Sequence, residues 1–186
     1  MPIDPSKTML LIAAWPDCLV TPELMLWATS HRIRYIKWYS KRFVECAYNS
    51  AIKHLALPSD CAHFIFADRD IRPGPKTEPF LAAAGSLVGC EYPLAAHGSW
   101  DHPHALHCGL WRCDRKVLES VEPPWFQRVL SPDGTHEEAC VCIHFCQKAL
   151  AAGFKVVRAG WADHDCPTEA DGRNSRTRST GQPGGG

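Results

Sequence analysis

Residues 63–73 read HFIFADRDIRP, and this segment sets the expected architecture of the chain. The apolar run over 61–67 has the length of a buried strand and ends at two acidic residues, Asp68 and Asp70. In sheets of parallel strands, ligands bind beyond the carboxyl ends of the strands. The two carboxylates are therefore predicted to lie where a ligand would bind.

Strands and helices alternate on both sides of this segment. The sequence predicts strands at 8–15, 32–39, 61–67, 85–92, 106–112 and 155–159, and helices at 21–29, 43–57, 114–121 and 137–152. This order predicts βαβ units, hence an α/β fold with a mostly parallel sheet and helices on both faces. From Pro167 onward no large apolar side chain occurs, so a domain at 1–166 and a disordered tail at 167–186 are expected.

Composition excludes several classes of protein. The 186 residues are 45% hydrophobic and carry 20 Lys plus Arg against 20 Asp plus Glu, so a strongly basic nucleic-acid binder is not expected. The longest apolar run, Met9 to Trp15, is far below the about 20 residues that a membrane span needs. Ten cysteines without a visible secretory signal indicate reduced, mostly packing thiols in the cytoplasm.

Asp68 and Asp70 are separated by one residue, a spacing that can direct both carboxylates to one hard cation. Mg²⁺ and Mn²⁺ prefer oxygen ligands, and Mg²⁺ commonly combines one or two carboxylates with substrate phosphates. Such a cation would neutralise a diphosphate leaving group as its charge develops. The motif alone is weak, because a solvated strand end often carries the same pattern.

Further segments follow in an order that matches one family. They are LVGCEYP (87–93), CGLWRCDRKVLE (108–119), PPWF (123–126), FCQKA (145–149) and AGF (152–154). Together with residues 63–73, and over about residues 8–166, they resemble the GT-A-fold glycosyltransferases, particularly small bacterial and phage members of family 2. The resemblance implies metal-dependent glycosyl transfer from a nucleotide-diphosphate sugar to a glycan or other hydroxyl acceptor.

The resemblance also implies a set of site residues. Mn²⁺ or Mg²⁺ would be held by Asp68 and Asp70, with His164 as the late histidine ligand that family members often supply. Trp15 and Asn49 would contact the nucleotide-sugar donor, although Tyr48 stands where the family has an arginine before that asparagine.

The acceptor side departs from the family pattern. The acid pair that serves as the catalytic base in inverting members is replaced by Val141 and Cys142. Glu138, one turn earlier on the predicted helix, and Glu137 are the remaining candidates for a base, which must reach the acceptor hydroxyl. Acids in a first helical turn also simply complement the helix dipole. Retention, inversion or loss of activity stays open.

Three other interpretations stay open. The aromatic residues Trp125 and Phe126 either border the acceptor cleft or form a buried pair. Without the acid pair, the chain could be a non-catalytic nucleotide- or sugar-binding module of the same fold. A zinc-binding protein would use Cys140, Cys142 and Cys146 as ligands. The sugar, the nucleotide and the acceptor are not specified by the sequence, nor is the oligomeric state.

Overall fold

The computed structural model describes residues 3–14, 19–39, 44–91, 106, 109–135, 137–139 and 141–164. Within these ranges the strands are β1 (Thr8–Ala14), β2 (Arg34–Tyr39), β3 (His63–Asp68), β4 (Ile71–Pro73), β5 (Leu87–Glu91), β6 (Leu110–Asp114), β7 (Val129–Leu130), β8 (Glu137–Ala139) and β9 (Val156–His164). The helices are α1 (Pro22–Ser30), α2 (Val44–Ala51), α3 (Glu78–Ala82), α4 (Arg115–Ser120) and α5 (Val141–Ala151). The predicted tail at 167–186 lies outside the described residues.

Seven of the described strands form one sheet in the order β2-β1-β3-β6-β5-β9-β4. Strands β2, β1, β3, β5 and β9 run in the same direction, whereas β6 and β4 run in the opposite one. The sheet is therefore mostly parallel, as predicted. A separate antiparallel pair joins β7 to β8. No helix among the described residues is long and apolar enough to cross a membrane.

The alternation of side chains along the strands divides the core into two layers. Phe64 and Phe66 of β3 face α2, α4 and α5, whereas Ile65 of the same strand faces α1 and α3. Each layer is closed by helices, so helices cover both faces of the sheet as predicted. We call the first layer the α2/α5 face and the second the α1/α3 face.

Cysteines serve mainly as small apolar side chains in these layers. Cys61 and Cys113 are buried on the α2/α5 face, and Cys90 is buried on the α1/α3 face. Cys146 is also buried, and its sulfur accepts a hydrogen bond from the Leu106 amide at 3.2 Å. These contacts agree with the expectation of packing thiols.

The largest departure from the predicted elements is at the start of the last helix. Helix α5 begins at Val141, and residues 137–139 form strand β8, in which Leu130 pairs with Glu137 and Val129 with Ala139. The helix predicted over 137–152 is thus wrong in its first turn, because pairing with β7 outweighs a weak local helix preference. Glu138 lies on β8 and not on α5, so it does not share a helix face with Cys142.

The sequence patterns did not predict three short elements. Strand β4 is three residues long, strand β7 is two and helix α3 is five, which is too short to show a period. Strand β9 continues to His164 and not only to Ala159, since its last three residues pair with β4. This added length carries β9 from β5 across to the segment that follows Asp70.

A bulge interrupts β9 where it leaves β5. Gly89 pairs with Arg158 and Glu91 pairs with Trp161, so three steps on β9 oppose two steps on β5. Gly160, inside this bulge, has a φ of 80°, and a Cβ there would lie 3.0 Å from the backbone nitrogen of Phe80. Both the backbone conformation and the close approach require glycine.

We expect Gly160→Ala to destabilise the protein more than Gly153→Ala. Gly153 has a similar φ of 87°, but a Cβ there would meet no atom within 4 Å. The left-handed conformation alone should cost about 1–2 kcal/mol in Gly153→Ala. The contact with Phe80 should add about 1–3 kcal/mol in Gly160→Ala. Urea unfolding of both variants measures the difference, and equal losses would mean that the bulge accommodates a side chain.

Candidate functional site

Three ionisable side chains converge at the carboxyl end of the sheet. One ligating atom from each of Asp68, Asp70 and His164 lies within 4.8 Å of the other two. The His164 Nε2 and the Asp70 Oδ1 are 3.4 Å apart, and each of these two side chains is 19% exposed. The cluster is enclosed but open enough to receive a small ion. Asp68 ends β3 and Asp70 follows it in the next turn, where the sequence places them, and their role as metal ligands stays a prediction.

Strand pairing explains why His164 joins the cluster. Asp68 is the last residue of β3, and a two-residue turn containing Asp70 leads directly into β4. Ile71 of β4 is the register partner of His164 in the antiparallel β4–β9 pair. His164 is therefore brought beside Asp70 although they are far apart in sequence.

The start of α1 holds the turn between the two aspartates. The Thr21 amide donates to the Arg69 carbonyl at 2.9 Å, and the Thr21 hydroxyl donates to the Ile71 carbonyl at 2.5 Å. The Asp68 amide donates to the carbonyl of Gly109, which immediately precedes β6. These three hydrogen bonds hold the backbone of the turn that carries Asp70 and of the strand end that carries Asp68.

The two aspartates have opposite electrostatic environments. Burial raises the pKa of Asp68 to about 7, although the 2.8 Å hydrogen bond from the Tyr48 hydroxyl acts against this increase. Burial also opposes ionisation of Asp70, but the hydrogen bond and charge of His164 outweigh it and hold the pKa of Asp70 below its usual value. A divalent cation would compensate the cost of keeping both carboxylates charged.

The donor set fits a divalent cation. Two carboxylates and one imidazole supply oxygen and nitrogen ligands, a combination that suits Mn²⁺ and that leaves coordination positions for phosphate oxygens. Within the described ranges, no other group of three His, Cys, Asp or Glu side chains comes as close together. Cys142 and Cys146 are not part of any such group, and Cys140 lies outside the described residues.

Tyr48 and Asn49 are neighbours on α2 but contact different parts of the protein. Tyr48 is 1% exposed and touches Asp68 through its hydroxyl, a contact that sequence reasoning missed. The only signal was that a tyrosine stands at the family's arginine position. The Asn49 amide makes two hydrogen bonds to the backbone of Phe126, at 2.7 and 2.9 Å, and so holds the 123–126 segment.

The remaining residues that the sequence predicts for the site are either buried in the core or outside the described residues. Trp125 and Phe126 are 5% and 2% exposed and pack in the core, so the expectation that they border a cleft is wrong and the buried-pair alternative is right. The Phe126 ring packs against Tyr48 and Phe145, and the Trp125 indole nitrogen donates to the Leu118 carbonyl at 2.8 Å. Trp15 and the side chains of Glu137 and Glu138 lie outside the described residues.

Neither a family model nor a curated protein matches this chain in sequence. Solved structures do match. A197 from STIV has 16% identity and a TM-score of 0.63, and the match covers 86% of this chain and 86% of that chain.

Two glycosyltransferase structures are similar over most of this chain. A Drosophila β-1,4-galactosyltransferase 7 mutant in complex with manganese, UDP-Gal and xylobiose has 12% identity and a TM-score of 0.60, with 94% of this chain and 77% of that chain covered. A glycosyltransferase involved in glycosylation of the major capsid of PBCV-1 has 11% identity and a TM-score of 0.51, with 88% and 96% covered. The fold is thus the GT-A fold of glycosyltransferases, which confirms the predicted fold class.

Proposed function

We propose that this protein transfers a glycosyl group from a nucleoside-diphosphate sugar to a hydroxyl acceptor, with a divalent cation held by Asp68, Asp70 and His164. The observation that carries the proposal is the convergence of these three side chains, at the carboxyl end of the sheet, on a GT-A fold. Ligand binding at this edge is the general rule for α/β sheets. The fold neighbours support the donor class, since one was solved with manganese and UDP-Gal.

Glycosyl transfer requires stabilisation of the departing diphosphate and removal of the proton from the acceptor hydroxyl. The bond between the anomeric carbon and the diphosphate oxygen breaks, and the acceptor oxygen bonds to that carbon and loses its proton. A bound cation would neutralise charge on the departing diphosphate. Tyr48 orients Asp68 by donating a hydrogen bond to its Oδ1 atom. His164 in turn hydrogen-bonds Asp70.

The proton of the acceptor hydroxyl needs a base other than the three clustered side chains, which are assigned to the cation. Val141 and Cys142 carry no carboxylate, so the acid pair that the family resemblance implies is missing at these positions. Glu138 and Glu137, which lie on β8, remain the proposed bases. The absence of the acid pair favours the second candidate function, a nucleotide-sugar-binding module without turnover. A cytoplasmic location stays a prediction.

Calorimetric titration tests the proposed function directly. We expect UDP or GDP to bind with Mn²⁺ present and to lose at least about tenfold in affinity when a chelator replaces the metal, because a cation held by Asp68 and Asp70 would attract the phosphates. Hydrolysis or transfer of the matching nucleotide sugar then distinguishes an enzyme from a binding module. If neither nucleotide binds the folded protein with Mn²⁺ or Mg²⁺, the donor site is lost and the proposal fails.

A further inference from the structure

Both polar atoms of the Asn49 side chain are bonded to the backbone of Phe126. The Asn49 Nδ2 donates to the Phe126 carbonyl at 2.7 Å, and the Asn49 Oδ1 accepts from the Phe126 amide at 2.9 Å. The orientation of the side-chain amide is unambiguous, because a backbone N–H only donates and a carbonyl only accepts. The same exchange of two bonds joins paired residues in an antiparallel sheet. Phe126 is thereby held against α2 although it lies 77 residues further along the chain.

Phe126 in turn packs against the ring of Tyr48. The centres of these two rings are 5.2 Å apart, and the Tyr48 ring also meets Phe66 of β3 edge-on at 5.7 Å. Phe126 itself stacks on Phe145 of α5, with the ring centres 4.8 Å apart. All four rings are at most 2% exposed. Because buried side chains in a close-packed core have little room to rotate, the position of Phe126 restricts the position of the Tyr48 ring.

The hydroxyl at the end of the Tyr48 ring reaches the proposed metal site. It donates to the Asp68 Oδ1 at 2.8 Å. Phe66 and Asp68 are two residues apart on β3, so their side chains lie on the same face of the sheet. Tyr48 thus contacts β3 both through its ring and through its hydroxyl. A displaced ring would lose the bond to Asp68, since hydrogen bonds weaken steeply as their angle departs from linear.

We infer that Asn49 is a positioning residue of the metal site. It acts through the ring contact between Phe126 and Tyr48, and the hydroxyl of Tyr48 orients Asp68. The inference rests on the proposed function and extends it from the three proposed ligands to the residues that hold one of them in place. Substitution of a residue that orients a metal ligand typically costs about 10- to 100-fold in metal affinity. The donor contact that the family resemblance implies for Asn49 is a separate prediction.

A double-mutant cycle tests this route. Free Mn²⁺ is measured by electron paramagnetic resonance during titration of the full chain, with no nucleotide present. Tyr48→Phe keeps the ring and removes the hydroxyl, so it should lower the Mn²⁺ affinity about tenfold, and Asn49→Ala should lower it by about threefold or more. In the Tyr48→Phe background, Asn49→Ala should change the affinity by less than about twofold, because the hydroxyl through which Asn49 acts is gone.

Lys148→Met is the matched control for the segment that contains Phe126. The Lys148 ammonium donates to the carbonyls of Glu122 and Pro124, so this variant releases the same segment at another point and leaves the ring contacts in place. It should change the Mn²⁺ affinity by less than about twofold, as expected for an independent site. Equal losses in Lys148→Met and Asn49→Ala would show a general loosening of the segment and would overturn the inference.

Two further outcomes would also overturn the inference: an unchanged affinity in Asn49→Ala, and a loss that persists in full in the Tyr48→Phe background. If Asn49→Ala does not fold, Phe126→Leu replaces it in the cycle, since it keeps the backbone bonds to Asn49 and removes the ring. The same losses are expected of it. If the unsubstituted protein binds no Mn²⁺, the proposed metal site fails and the inference fails with it. If the protein binds Mn²⁺ and the cycle shows no coupling, only the inference fails.

Discussion

Asp70→Asn is expected to lower the affinity for Mn²⁺ by at least about 100-fold. Substitution of a residue that only supports a metal ligand costs up to about 100-fold, so the loss of a direct ligand should cost no less. The substitution keeps the shape of the side chain but removes one negative charge and one anionic ligand. Asp70 is partly exposed and lies in a turn held by backbone bonds from Thr21, so the fold should survive. Metal-dependent nucleotide binding should fall to the level seen with chelator.

Free Mn²⁺, measured by electron paramagnetic resonance during titration of the protein, gives the metal affinity without any assay of turnover. Asp163→Asn is the matched control, because it removes the same charge from the residue next to His164. Asp163 is exposed and does not belong to the three-residue cluster. If the two variants bind Mn²⁺ equally, Asp70 is not a ligand and the assignment of the metal site is wrong.

The second large effect is expected in the core, at Arg112 of β6. This arginine is 1% exposed, and its guanidinium donates to the carbonyl oxygens of Phe80 at 2.9 Å, Ala83 at 2.5 Å and Gly85 at 3.3 Å. It also lies 5.8 Å from the centre of the Phe80 ring. The guanidinium thus supplies hydrogen-bond donors to the carbonyl oxygens in and after α3 and in the turn that leads into β5.

Arg112→Met should reduce the free energy of unfolding by about 3 kcal/mol or more. Methionine fills a similar volume but donates no hydrogen bond, and each buried carbonyl left without a donor costs about 1–3 kcal/mol. Lys116→Met is the control, because the Lys116 side chain is 63% exposed and its pairing with Asp114 should be worth less than about 1 kcal/mol. Chemical denaturation measures both variants. Losses of similar size would show that the carbonyls find other donors.

The features that the sequence predicted correctly depend on residues that are close together along the chain. A short apolar run followed by Asp68 and Asp70 predicts a buried strand that ends at two acidic residues, and β3 is such a strand. Gly153 after the last helical period predicts the end of α5, and its φ of 87° agrees. By contrast, the acids at 137 and 138 favoured a helix that pairing with β7 prevents.

The remaining features of the site depend on contacts between distant parts of the chain. His164 reaches Asp70 because β4 and β9 pair, and Tyr48 reaches Asp68 because α2 packs on the α2/α5 face. Strand β9 reaches β4 through the bulge at Gly160, where one residue is added opposite β5. A period of two or 3.6 along the chain predicts which elements form and which face is apolar. Which strands become partners, and in what register, is a property of the packed sheet, and that register brings the site together.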